Sequence, residues 1–254
     1  MKYLTIIILF LNTSCAYFKL ISAKKQETKK LHGELKYEFV DTMGSFIKSR
    51  NKGFDSSKNL VIKSKIYQNS NEQSPVERLI SISKMGEKIN KINIVRPLKS
   101  EAIYWFDGNK YKSYIEFDEK NNQYISKAIA KEDTWDKYQK VKIDIGKKAY
   151  CFFSQLIECI EHSGFLKLSR EKYSGAMNIE VIWDGFPFFN EQYLNNKKSM
   201  ISTGKFKFLQ KEAKGIYKYA LNIDGQVIHY FIYDDKHLAK MFWVSQGISQ
   251  TLME

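Results

Sequence analysis

Arg78-Leu-Ile-Ser-Ile-Ser-Lys84, Lys88-Ile-Asn-Lys-Ile-Asn-Ile-Val-Arg96, Ala102-Ile-Tyr-Trp-Phe106 and Tyr111-Lys-Ser-Tyr-Ile-Glu-Phe117 follow one another between positions 78 and 117. Ile80 and Ile82 alternate with Ser81 and Ser83, and Tyr111, Ser113, Ile115 and Phe117 share one parity. Period two marks strands with one face buried and one wet. Met85-Gly86-Glu87 and Asp107-Gly108-Asn109 read as turns, and Pro97 as a break between strands. Asp-Gly supplies the positive backbone angles of a tight hairpin, so successive strands should pair antiparallel. The expectation is a four-strand meander.

Similar patterns extend on both sides. Leu60 to Tyr67 reads as an earlier strand, followed by a loop from Gln68 to Pro75, and Gln123 to Ile125 as an extension of the meander. Lys131 to Lys142, with a lone Trp135, reads as a short helix or loop. Ala149, Phe152, Phe153, Leu156, Ile157 and Ile160 fall on one stripe of a helix stopped by Gly164, with Glu158, Glu161 and His162 off the stripe. Strands resume at Asn178–Trp183, Gly204–Leu209, Tyr217–Ile223, Val227–Tyr233 and Met241–Val244, with turns at Asp184-Gly185, Asp224-Gly225 and Asp234-Asp235. Phe186-Pro187-Phe188-Phe189 makes an aromatic corner. The fold class expected is α+β: a curved antiparallel β-sheet, a partial barrel, with helices covering the concave face.

The chain has 254 residues, 43% hydrophobic and 15% aromatic, enough for a packed core. Its net charge of +13 comes from lysines dispersed along the whole length; Lys24, Lys25, Lys29 and Lys30 form the one short cluster. A nucleic-acid footprint concentrates on one face, so no nucleic-acid partner is expected. Attraction to anionic lipid surfaces is compatible with the excess.

At the N-terminus Lys2 precedes the apolar run Tyr3 to Leu11, too short to span a bilayer of ~30 Å but of the length of a secretory signal. Asn12-Thr13-Ser14-Cys15-Ala16 follows. This resembles a bacterial lipoprotein signal, in which small residues precede a cysteine that is lipidated. Thr13 and Ser14 fit the pattern; Asn12 stands where such signals usually carry leucine. Cleavage after Ala16 is the alternative. By this resemblance Cys15 carries the lipid, and Ala16 after it implies the outer membrane, periplasm-facing. The domains expected are 1–15 as signal, 16–58 as tether and N-terminal segment, helical in part over 31–48, and 59–254 as the sheet-plus-helix domain.

Cys151 and Cys159 are the other thiols. On a continuous helix they would lie ~12 Å apart, and a disulfide needs Cα atoms within ~7 Å. Either the helix breaks between them or both stay reduced, and two free packed thiols are the expectation.

Catalytic signatures are sparse. His32, His162, His229 and His237 are widely spread, no Cys-x-x-Cys or His-x-x-x-His pair occurs, and no nucleophile elbow, dinucleotide turn or P-loop is present. No metal, no cofactor and no catalytic residue are expected. An exported hydrolase would need a carboxylate and a histidine brought into one cleft from a distance. Aromatics are abundant: Tyr104, Trp105, Tyr111, Phe117, Trp183, Phe186, Phe188, Tyr219, Phe231 and Trp243 exceed what a thin sheet-on-helix core requires. A share of them is expected to line an apolar cavity.

Together, the lipoprotein-like start, Ile92-Asn93-Ile94-Val95-Arg96 running into Pro97-Leu98-Lys99-Ser100, Ile103-Tyr104-Trp105-Phe106 with its hairpin, and a helix near 150–160 resemble the LolA/LolB-type lipoprotein carriers and receptors. That resemblance implies an acyl-chain cavity and membrane transfer. It also implies an exposed leucine at Leu98, after a Pro-Leu corner in which Lys99 replaces the family's glycine. Ligand contacts are therefore expected at Leu98, Trp105, Phe117, Phe153, Trp183 and Phe231. The partners expected are a membrane, through the lipid anchor, and a lipid or lipoprotein acyl chain. The alternative is an accessory envelope lipoprotein that binds a protein partner.

Overall fold

The computed structural model describes residues 29–68, 74–89, 92–106, 108–130, 138–144, 147–194, 199–212 and 215–253. The signal-like segment, Cys15, Asp107 and most of the Lys131–Lys142 stretch lie outside them. Among the described residues the strands form a single sheet of fifteen, in the order β8-β7-β6-β5-β4-β3-β2-β1-β15-β14-β13-β12-β11-β10-β9, with β3 at Leu60–Tyr67 and β7 at Gln123–Ile129. Every neighbouring pair is antiparallel except β9 with β10. The edge strands β8 (Tyr138–Lys142) and β9 (Tyr150–Phe152) are consecutive in the chain. The link between them spans at most about 27 Å when extended, so the sheet must curl until its edges approach. The result is a strongly curved, unclosed barrel, as the alternating patterns require.

The sequence-based meander is correct in direction and too finely divided. It contains three strands, β4 (Pro75–Ile89), β5 (Ile92–Phe106) and β6 (Asn109–Asp118). Gly86, at φ +87°, does not turn the chain; it sits in a bulge where the β4–β5 register slips between Lys84 and Glu87. Pro97 does not end a strand either. Ile82 pairs with Lys99 and Ser83 with Pro97, which leaves Leu98 as the extra residue of a second bulge. A proline is tolerated there because a bulge relaxes the demand for a ladder N–H.

Two further expectations are corrected. Part of the stretch read as a tether is β1 (Lys29–Asp41) and β2 (Gly44–Phe54), seated between β15 and β3. Tyr37 and Phe39 are buried from β1, which fixes the strand against the core. The helix read from Ala149 to Ile160 starts at Leu156: Tyr150–Phe152 pairs instead with Glu180–Ile182, a short 3-10 turn spans Phe153–Gln155, and α1 runs Leu156–His162. Breaking the helix brings the Cα atoms of Cys151 and Cys159 to 6.2 Å, and the two form a disulfide rather than free thiols. After α2 (Phe165–Lys172), β10 (Ala176–Ile182) leads to an aromatic segment. The sheet then continues through β11 (Ile201–Lys211), β12 (Ile216–Ile223), β13 (Gln226–Tyr233), β14 (Leu238–Trp243) and β15 (Ile248–Leu252), the last returning to pair with β1.

The barrel interior is occupied by β9, the 3-10 turn, α1 and the Trp183–Leu194 segment. Small inward residues make room for them. One cross-strand row reads Lys52, Ile62, Ser81, Ser100, Ile115, Ser126; the next reads Leu35, Arg50, Ser64, Leu79, Ala102, Ser113, Ala128. The serines also bond the interior segment. Ser81 Oγ lies 2.8 Å from Ser154 Oγ, Gln155 Nε2 donates to the Ser81 carbonyl at 2.9 Å, and Ser83 donates to Gln155 Oε1. Ser100 and Ser113 donate to the carbonyls of Asp184 and Phe186. These bonds satisfy backbone groups that would otherwise be buried without partners.

Candidate functional site

The interior segment fills only part of the barrel. Beside it lies a cavity of about 590 Å³, well inside the size range of small-molecule sites. Gly33, Glu34, Asp235, Lys236 and His237 line it and are exposed, so they form its mouth. Phe39, Tyr104, Asp184 and Tyr193 line it and are buried, so they form its inner end. Lys52, Arg50 and Lys48 succeed one another inward along β2, a depth of about 13 Å at the rise of a strand. Leu35, Leu156, Ile157, Leu238, Met241 and Ile248 supply apolar wall between mouth and floor.

The charges near the mouth are closed. Arg50 Nη2 donates to both carboxylate oxygens of Glu158, at 2.8 and 2.7 Å, and to the Ser154 carbonyl at 3.2 Å. Burial alone would raise the Glu158 carboxyl; Arg50 and Lys52 overcome it and hold the group below the usual carboxylate range. Glu161 accepts from Lys236 at 3.1 Å and lies 3.5 Å from Lys52. Asp235 and His237 pair at 2.9 Å on an exposed turn. That carboxylate–histidine pair borders the cavity, with the imidazole more than half exposed. Among the described residues no hydroxyl or thiol bonds to it, and no group of metal-ligating side chains occurs.

Deeper in, the arrangement differs. A third cross-strand row runs Tyr37, Lys48, Ile66, Glu77, Tyr104. Lys48 Nζ lies 5.6 Å from the ring centre of Phe39, and among the described residues no hydrogen bond or ion pair reaches it or Glu77. Burial pushes the Glu77 carboxyl up to about 7, with Lys48 opposing and Asp184 and Asp41 adding. Burial depresses the Lys48 ammonium, Glu77 opposing. Asp184, also raised by burial, to about 6, accepts from the Ser154 hydroxyl and backbone N–H. Tyr193 donates to Asp41 at 3.1 Å. Gly185 is needed at the inner end, because a Cβ there would lie 1.9 Å from the Tyr104 hydroxyl.

Of the residues expected to touch a ligand, Phe153 lines the cavity. Trp183 is fully buried beside it, stacked with Trp243 at 6.1 Å and donating to Ser202 at 2.8 Å. Phe117 packs on Tyr124 beneath Arg96. Trp105 and Phe231 belong to the outer face, where Arg78 and Lys110 cover the first and Lys218 the second. For Phe231 the reason is parity: Ile228, Tyr230 and Ile232 take the inside of β13. Leu98 is half-buried at the β5 bulge, so it is not the apex of an exposed corner. Cys15 lies outside the described residues.

The residues that do build the site, Tyr37, Lys48, Arg50, Glu77 and Tyr104, stand on four adjacent or near-adjacent strands, β1, β2, β4 and β5. The readable signal for them is the cross-strand alignment once β1 and β2 are placed in the sheet.

No protein-family model and no curated protein matches the chain. Among solved structures, the chain is similar to one described as a β-barrel-like protein of the domain of unknown function DUF1849 from Brucella abortus. The TM-score is 0.46 at 8% identity, over 87% of this chain and 95% of that one. The fold is established by this chain's own sheet, one curved and unclosed antiparallel barrel with a few short helices.

Proposed function

We propose that this protein is a lipid-anchored, periplasm-facing outer-membrane lipoprotein of the LolA/LolB carrier and receptor kind. It shelters one acyl chain of a lipid or lipoprotein in its barrel without covalent chemistry. The cavity carries this reading: its own side chains do not fill it, and Leu35, Leu156, Ile157, Leu238, Met241 and Ile248 give it apolar wall between mouth and floor. Lipidation at Cys15 would hold the mouth within reach of a membrane. Burial of each methylene contributes ~0.8 kcal/mol, so a long chain gains affinity steadily with length.

The test is displacement of a fluorescent fatty-acid probe from the full-length chain, together with native mass spectrometry of the protein as isolated. Shortening a competitor from sixteen to twelve carbons should weaken binding by ~3 kcal/mol, or about 200-fold. A protein that carries no lipid and displaces no probe at any chain length would refute the proposal. Metabolic fatty-acid labelling should mark the wild type and not Cys15→Ser; equal labelling would remove the anchor.

A further inference from the structure

The acyl chain accounts for the walls of the cavity and not for its floor. Toward the mouth Arg50 is matched with Glu158, and Lys52 and Lys236 with Glu161. One row further in, Lys48 and Glu77, a base and an acid, share the inner face and meet neither each other nor another ionic partner among the described residues. They stand on β2 and β4 with Ile66 of β3 between them. Two strand spacings put about 9.6 Å between their Cα atoms, so their side chains frame a short polar span above an apolar base. Tyr37 flanks Lys48 in the row and Tyr104 flanks Glu77. Neither phenol has a hydrogen-bond partner among the described residues.

Lys48 and Glu77 are half-buried, so polar groups placed like these are satisfied by what enters the cavity. A purely anionic head group would suit Lys48 but would face Glu77, Asp184 and Asp41. A purely cationic one would suit the carboxylates and face Lys48. A head group carrying both charges a few ångströms apart matches the whole floor.

Resting on the acyl-chain reading above, we propose that the cavity selects single-chain amphiphiles with a zwitterionic head. The head binds inward, its anionic group at Lys48 and Tyr37, its ammonium at Glu77 and Tyr104, and its chain runs to the mouth along Leu35, Leu156, Ile157 and Leu238. A lipid with a phosphate and a primary amine in its head has this chemistry. Charge complementarity then sets specificity, while the apolar walls set affinity.

The experiment uses the full-length chain and competitors with one identical acyl or alkyl chain, below their micelle-forming concentrations. The heads are lysophosphatidylethanolamine (both charges), lysophosphatidylglycerol (anion only) and an alkylammonium (cation only). The zwitterion should bind at least tenfold tighter than either single-charge head. Glu77→Gln should weaken the zwitterion at least tenfold and leave the anion unchanged or tighter; Lys48→Gln should weaken zwitterion and anion and spare the cation. The wild-type ranking needs no variant, and retained probe binding in each variant certifies its fold. Equal affinity for all three heads, or a ranking unmoved by Glu77→Gln, overturns this inference and leaves the acyl-chain reading standing. Failure of every amphiphile to displace the probe overturns both.

Discussion

Glu158→Gln should destabilise the protein far more than an ordinary ion-pair deletion, because the pair it breaks fastens the interior segment to the wall. Arg50 projects inward from β2 and reaches Glu158 on α1; the two side chains are only 15% and 8% exposed. With charge centres about 4 Å apart and an effective dielectric of about 20, the lost attraction is ~4 kcal/mol. Glutamine keeps the shape and returns part of the hydrogen bonding, so the expected cost is about 3 kcal/mol, in the range for breaking a buried pair. Urea unfolding at pH 7, followed by tryptophan fluorescence, measures it directly, with Trp183 and Trp243 as buried reporters. The sign of the pH dependence is fixed by the same contact. A carboxyl held below its ordinary value of 4.5 contributes stability above that value and loses it as pH falls through the lower folded value. The difference between wild type and Glu158→Gln should therefore shrink in acid below about pH 4.5. Arg50→Leu combined with Glu158→Leu should cost less than Glu158→Gln alone, since no buried charge is then left uncompensated. A loss under about 1 kcal/mol, the worth of a surface pair, would refute the fastening role.

Three further outcomes are expected. Replacing Cys151 and Cys159 together by serine should cost about 2.5 kcal/mol, from the entropy of opening so short a loop, and a reductant should lower the thermal midpoint of the wild type while leaving the variant unmoved. Ser81→Leu should cost 2 kcal/mol or more by forcing a branched side chain against the Ser154–Gln155 turn, whereas Ser81→Ala should cost about 1 kcal/mol; equal losses in denaturant titrations would show that space at that face is not limiting. Glu77→Gln should have the opposite pH profile to Glu158→Gln. A carboxyl raised from 4.5 to about 7 is most compatible with the fold below 4.5 and becomes a burden as pH rises through 7. The variant should accordingly gain about 1–2 kcal/mol over wild type at pH 8, after allowance for screening by cavity water, and nothing at pH 4; no gain at pH 8 would place Glu77 in a wetter setting than the cavity floor.

Much of the barrel was legible because strands announce themselves locally. Tyr217, Tyr219, Leu221 and Ile223 alternate cleanly and are all buried, as period two requires. Bulges are the counter-case. Gly86 and Pro97 carry the residue types of turns, and only the pairing partner across the ladder distinguishes a bulge inside a strand from a turn between two. The site was less legible for a stronger reason. Lys48, Arg50 and Lys52 alternate on β2 as a solvated face does, yet they point inward, because the interior segment brings Glu158 and Glu161 to meet two of them. Inward serines mislead the same way: Ser81 and Ser83 are fully buried, chosen for size where another chain segment must lie close. Phe231 and Trp105 mislead in reverse, as aromatics on the outer face shielded by lysine and arginine.

The same interior segment explains why a cavity exists at all. A sheet of fifteen strands encloses more volume than its own inward side chains fill, and a segment entering from one edge must cover what it can reach. Ser154, Gln155 and Asp184 bond the row of Ser81, and Ser154 and Phe186 accept from Arg50 and Ser113 of the row of Ser64, where the sheet offers small residues and bonding partners. At the row of Lys48 and Glu77 the interior segment closes only on one end, where Gly185 and Phe188 pack against Tyr104. Over Tyr37, Lys48, Ile66 and Glu77 it leaves the cavity, and the ionisable pair faces that space. Filling that space with apolar side chains would have been the simpler route to stability. An acid and a base held there, two strands apart, suggest that the floor is shaped by what it binds rather than by the fold it belongs to.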